Sequence, residues 1–247
     1  MRILWQLFIA TVLTALTQVG GVIWLVSRLA RRKLLTFALL YVATTLSLPL
    51  VVPSFGRVAL PCLSDGEMVM QSPLYCALNR HYVTPDTARA LERASERVAE
   101  AYPGTKTLIL DGNFPFFDGF PLLPHLSHDD GEKADLAFYY RDDKGYLPGA
   151  TRSPIGYFAF EQGPTDCPKR RASMRWDLEP LQPLWRDYEV EPQRTRAVLR
   201  ALLADEAVGK VFLEPHLQRW LGLSHPKLRF QGCRAARHDD HIHIQLK

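Results

Sequence analysis

The sequence predicts an α+β fold: a small antiparallel sheet with flanking helices, preceded by an N-terminal hairpin of two transmembrane helices. Three observations predict it. Residues 3–26 and 34–53 are uncharged, mostly apolar stretches separated by Arg28, Arg31, Arg32 and Lys33. Downstream, helical and strand patterns mix without βαβ regularity. Near the C-terminus, His241-Ile242-His243-Ile244 alternates polar and apolar residues, as a half-buried strand does.

Each apolar stretch reaches the roughly 20 residues that a helix needs to cross a bilayer. The basic connector outweighs the single Arg2 at the N-terminus, which favours a cytoplasmic loop and both chain ends outside the cytoplasm. A signal peptide is the alternative for the first stretch, although it is long for one and a second apolar stretch follows. The net charge of +4 is modest and partly confined to that one cluster, so composition gives no case for nucleic acid as a partner.

Three regions are expected: two membrane helices over 1–53, a disulfide-tied linker over 54–83, and a folded domain over 84–247. Cys62, Cys76, Cys167 and Cys233 all follow the second apolar stretch. An even count on the outer side suits disulfides. Of the three possible pairings, Cys62 with Cys76 and Cys167 with Cys233 is favoured; the second would brace the nearby histidine strand.

Thr84-Pro85-Asp86 starts a helix with a capping hydroxyl and Pro at the first position. Ala88, Leu91, Ala94, Val98 and Ala101 give it an apolar face, and Pro103-Gly104 ends it. Residues 106–111 read as a buried strand. Residues 112–124, rich in Phe, Pro and Gly, either wall a cleft or pack as an apolar loop on the core or the membrane. In 141–175 only Tyr157–Phe160 reads as a strand, and a loop this long usually serves a site or is mobile. Lys169, Arg170, Arg171 and Arg175 there could meet an anion, though a solvated basic loop is the simpler reading. A short helix from Trp176 to Trp185, with Trp176, Pro180 and Trp185 in the core, a helix over 192–205, a strand over 208–213, a helix over 215–221 and a strand over 227–230 complete the expectation.

The chemistry concentrates in two places. His128 and Asp135 flank Gly131, which offers the turn that lets residues of opposite parity aim at one point. His241 and His243 share one face of their strand, roughly 7 Å apart. His238 has the wrong parity and joins them only if the strand begins after it or bulges. Two imidazoles, a carboxylate and a spare imidazole make up the inventory of a catalytic zinc site.

These residues resemble the LAS-type zinc peptidases, and most of all the penicillin-insensitive murein endopeptidases. Ser127-His128-x-x-Gly131-x-x-x-Asp135 is similar to their first motif and His238-x-x-His241-x-His243 to their second. The likeness covers about residues 105–247. It implies one Zn2+ held by His128, Asp135 and His243, with His241 beside the metal-bound water as base or electrostatic stabiliser, and His125 and His238 as accessory site histidines. Lys133 departs from the pattern, since the family usually has a small or acidic residue two before the aspartate. The implied activity is hydrolysis of peptide cross-links in peptidoglycan by a metallopeptidase of the bacterial inner membrane with its domain in the periplasm. A D,D- or L,D-carboxypeptidase acting on stem peptides, and a non-catalytic zinc- or cell-wall-binding module, are the alternatives.

Overall fold

A computed structural model describes residues 1–168 and 173–247. Lys169, Arg170 and Arg171, three of the four cations of the basic loop, lie outside the described residues.

The first apolar stretch is not one helix. It divides into α1 (Arg2–Thr17) and α2 (Gly20–Ser27), separated by Gln18 in a left-handed conformation with φ 63°. The indole Nε1 of Trp24 donates to Gln6 Oε1 at 3.0 Å. In one straight helix these residues would stand about 27 Å apart, so α2 folds back onto α1. Gly20 and Gly21 permit this: a Cβ on either would run into Thr17, Thr14 or the Ala10 carbonyl. At 16 and 8 residues, both fall short of the roughly 20 that a bilayer-spanning helix needs. Among the described residues, one helix is long and apolar enough to do so: Lys33–Phe55, comprising α3 (Lys33–Val51) and a 3-10 turn (Val52–Phe55). The expected pair of membrane helices is thus reduced to one candidate, because the Gly-Gly turn hides inside an apolar run.

Residues 54–83 do more than link. They supply β1 (Val58–Ala59), β2 (Met68–Met70), α4 (Pro73–Ala77) and β3 (Tyr82–Val83). β1 pairs with β3, and β2 joins the main sheet. Then follow α5 (Pro85–Ala101), capped by the Thr84 hydroxyl, and β4 (Thr107–Ile109). Next come β5 (Lys133–Ala137), β6 (Tyr140–Asp142), β7 (Gly145–Tyr146) and β8 (Glu189–Val190). The chain ends with α6 (Pro192–Ala204), β9 (Val208–Phe212), α7 (Pro215–Trp220), β10 (Leu228–Arg229) and β11 (His241–Leu246).

The main sheet has six strands in the order β10-β9-β11-β5-β4-β2. Its four central strands are antiparallel, as expected; β10 and β2 add parallel edges. β6, β7 and β8 form a separate small sheet. Alternation divides the faces of β5 and β11. Ala134, Leu136, Ile242 and Ile244 are fully buried in the apolar cluster that also holds Leu91 and Val98 of α5 and Val198, Leu199 and Leu202 of α6. Asp135, His241 and His243 have the opposite parity.

Both expected disulfides form, Cys62–Cys76 and Cys167–Cys233. The second closes a 66-residue separation, where the loss of unfolded-chain entropy is large. It ties the long 141–175 loop to the approach to β11.

Two local expectations fail for identifiable reasons. Tyr157–Phe160 is irregular, because Phe158 is left-handed (φ 64°) and its N–H donates to Asp240 Oδ2 at 2.6 Å instead of to a ladder. The helix expected from Trp176 is only a 3-10 turn, Glu179–Leu184, since Pro180 and Pro183 remove backbone donors. Trp176 and Pro180 are exposed there, not core; Trp185 is half-buried and donates to the Phe158 carbonyl at 2.9 Å.

Candidate metal centre

The register of β5 against β11 builds the site. His243 stands opposite Asp135, and His241 opposite Ala137, whose small side chain leaves the imidazole room. His128 arrives from the loop before β5. That loop turns at Gly131 (φ +80°), where a Cβ would collide with the Arg57 guanidinium.

Three donor atoms converge. His128 Nε2 is 3.3 Å from Asp135 Oδ1 and 3.1 Å from His243 Nδ1, and the latter two are 2.8 Å apart. Ligands at 2.0–2.1 Å in a tetrahedron lie roughly 3.3 Å from one another, so the set is close to chelating geometry. His128 Nδ1 donates to the Gly112 carbonyl at 2.7 Å, which leaves the Nε2 lone pair free for a metal. Burial lowers the His243 pKa to about 4 against the opposing pull of Asp135, keeping that ring neutral. All three side chains are almost wholly buried. This donor set fits a metal ion. Seen more widely, the buried groups His125, His128, Asp135 and His238, His241, His243 each offer ligand atoms within 4.8 Å of one another.

His241 Nε2 lies 3.6 Å from Asp135 Oδ1, while its Nδ1 donates to Asp240 Oδ1 at 2.6 Å. Burial lowers the His241 pKa, but Asp135 and Asp240 outweigh it and raise it above the ordinary value. His238 precedes β11, which resolves its parity. Its ring sits 5.0 Å from that of His241, with Nδ1 buried and lacking a hydrogen-bond partner among the described residues. Burial, then His241 and His243, holds its pKa well below the usual imidazole range.

His125 belongs to the outer side of Asp135. Its Nδ1 lies 2.9 Å from Asp135 Oδ2 and 3.4 Å from Asp111 Oδ2. Burial opposes its charge, but the two carboxylates prevail and raise its pKa to about 10. With Nδ1 turned to these two carboxylates, His125 is placed to position Asp135 Oδ2.

Sequence reasoning missed three members of this network. The Tyr157 hydroxyl donates to Asp135 Oδ2 at 2.7 Å and lies 3.1 Å from Asp111 Oδ2. Asp111 is fully buried and held by both Arg80 Nε (2.6 Å) and Arg80 Nη2 (2.7 Å). Asp111 had a visible signal, a carboxylate ending an apolar strand; Arg80 and Tyr157 had none.

Lys133 shares the face of Asp135, yet its ammonium is engaged by Asp130 and by Asp129 at 3.5 Å. Arg175, read as part of a solvated basic loop with an anion contact as the alternative, is instead half-buried against Glu214 in a two-pronged pair at 2.9 and 3.0 Å. A cavity of about 260 Å³ opens onto His125, Asp135, His238, His241 and His243, with Leu126, Ser127, Met174 and Gln231 among its walls. A larger cleft of about 600 Å³, beside β8 and α7, contains none of these residues. Compared with family models and with curated proteins, the chain finds no match.

Proposed function

We propose that the chain is a membrane-anchored zinc metallopeptidase that hydrolyses peptide cross-links of bacterial peptidoglycan. The observation that carries the reading is the convergence of His128 Nε2, Asp135 Oδ1 and His243 Nδ1 within 2.8–3.3 Å. The likeness of the two histidine motifs to the murein endopeptidases supplies the substrate class.

His128, Asp135 and His243 would hold the ion. Zinc, when bound, supplies Lewis acidity and a water activated at neutral pH. The protein's own groups do the rest. His241 Nδ1–H is engaged by Asp240, so Nε2 faces the site, where it would accept a proton from the attacking water and return it to the departing amine. Asp240 is itself held by the Phe158 N–H. His125 and Tyr157 engage Asp135 Oδ2, which leaves Oδ1 for the ion. The pairing of Lys133 with Asp129 and Asp130 keeps its charge from opposing a cation.

Two disulfides suit an oxidising compartment outside the cytoplasm. We place the domain in the periplasm and α3 in the inner membrane. Trp24 contacts both Gln6 and Phe37, and the Arg28 guanidinium lies over the Trp24 ring. The Gln18 turn lies instead against the domain. The basic connector then faces the cytoplasm, in keeping with the positive-inside rule.

The test uses the full chain in detergent with isolated cell-wall sacculi. The parent protein is expected to retain zinc and to release monomers from cross-linked muropeptides; His128→Ala should do neither. Equal release by the variant overturns the proposal. Loss of a terminal alanine with cross-links intact would mark a carboxypeptidase instead.

A further inference from the structure

We infer that the domain carries its own lipid-contacting strip, formed by Phe55, Phe117 and Leu123, which sets the metal cleft beside the membrane surface. The inference rests on reading α3 as membrane-embedded and is independent of catalysis.

Phe55 ends the long apolar helix and is 52% exposed; Phe117 is 70% and Leu123 46% exposed. Leu123 lies six residues beyond Phe117 on the same loop, and large exposed apolar side chains concentrated on one segment mark an interaction surface. The strip continues from the helix without a gap. The ring of Phe55 meets Phe116 edge-on at 4.8 Å, and Phe116 meets Phe117 at 6.0 Å. The Phe116 backbone is gripped at both ends by the Gln18 side chain, N–H to Oε1 at 2.8 Å and Nε2 to carbonyl at 2.6 Å. Leu48 and Val52 of the same helix are buried with Tyr82 against Phe116. The loop is therefore fastened to the helices that would lie in the bilayer.

Phe117 costs the fold twice. It exposes an aromatic ring, and it holds a left-handed backbone with φ 56° that a bulky residue rarely adopts. Neighbouring Asp118 is paired with Arg57, which limits the cost of bringing its charge to a lipid boundary. Lipid is the occupant that fits, because the strip is continuous with a helix of bilayer-crossing length.

The consequence for the cleft is geometric. His125 follows Leu123 by two residues and Leu126 by three, so their Cα atoms lie within about 7 and 11 Å of Leu123. Both line the cleft. Its substrate is then a peptide met close to the membrane rather than in the outer layers of a wall.

The experiment places an environment-sensitive fluorophore on single added cysteines in the full, oxidised chain reconstituted into phosphatidylcholine–phosphatidylglycerol vesicles. Phe117→Cys and Leu123→Cys report the strip, Leu39→Cys reports α3, and Lys144→Cys, on an exposed turn, serves as the aqueous reference. Blue-shifted emission, with loss of most of it when the acyl chains are brominated, is expected at 117, 123 and 39 but not at 144. Lipid signals at 39 alone overturn the inference and leave the anchor reading standing. Aqueous signals at all four positions overturn both. A blue shift at 117 that bromine does not quench, and that grows with protein density, means a second copy covers the strip and also overturns the inference.

Discussion

Asp135 and His243 face each other directly across β5 and β11, with Oδ1 and Nδ1 2.8 Å apart. Neighbouring strands hold such pairs at a fixed spacing, so the site's central contact is set by sheet register and not by a loop. Asp135→Asn keeps the shape while removing the charge that a cation requires. It should lower zinc affinity by more than the roughly 10- to 100-fold that loss of an outer partner costs. Competition with a chromophoric chelator, with thermal unfolding as the folding control, measures this.

Tyr157→Phe removes one hydrogen bond to Asp135 Oδ2 and nothing from the ligand set. Zinc affinity should fall about 10- to 100-fold, with the ion still bound at micromolar metal. An affinity equal to the parent's in the same chelator assay would show that the hydroxyl does not orient the carboxylate.

The legible part of this site was its local part. His128, Asp135, His241 and His243 stand at spacings that strand parity and one glycine turn convert into geometry. Asp111, Arg80 and Tyr157 come from three separate segments, and nothing in their neighbours says that they meet. Gly112 and Ala137 were silent because their contribution is a carbonyl and an absence of bulk. The same limit hid the reversal after α1: Gly20-Gly21 reads as part of an apolar run, and only the Trp24–Gln6 contact exposes the turn. β2 went unread as a strand because three residues of alternating burial are too few to show a period. The apolar faces of α5 and α6 were plain, since helical spacing repeats over many residues.

Arg80 and Asp111 are both buried and paired at 2.6 Å. Arg80→Ala removes the closest partner of the Asp111 carboxylate and leaves it with His125 at 3.4 Å and the Tyr157 hydroxyl at 3.1 Å, so the cost should approach the roughly 3–5 kcal/mol of breaking a buried pair. Urea unfolding of the chain in detergent should show that loss. The double variant Arg80→Ala with Asp111→Asn should recover a substantial part of it, since the under-compensated charge is gone.

His81 gives a pH signature outside the candidate metal-ligand set. Burial lowers its pKa to about 4 from 6.5, and its Nδ1 is buried without a hydrogen-bond partner among the described residues. The folded state favours the neutral ring, whereas the unfolded chain takes up a proton below its ordinary pKa. The associated stability is therefore intact above pH 6.5 and is lost as pH falls toward 4, by about 3 kcal/mol in full. His81→Phe should flatten the fall in unfolding temperature between pH 7 and pH 4.5. An unchanged slope would mean that the ring is protonated in the native state.

The pairing of β5 with β11 is enforced from the side of the sheet that carries no ligands. Leu136, Ile242 and Ile244 are fully buried there, and a slip of one residue would turn them outward. Oily contacts therefore bring the imidazoles and the carboxylate together before any ion arrives. An ion held by this set, once stripped, should be replaceable without refolding, as a lens is refitted to a frame that has kept its shape.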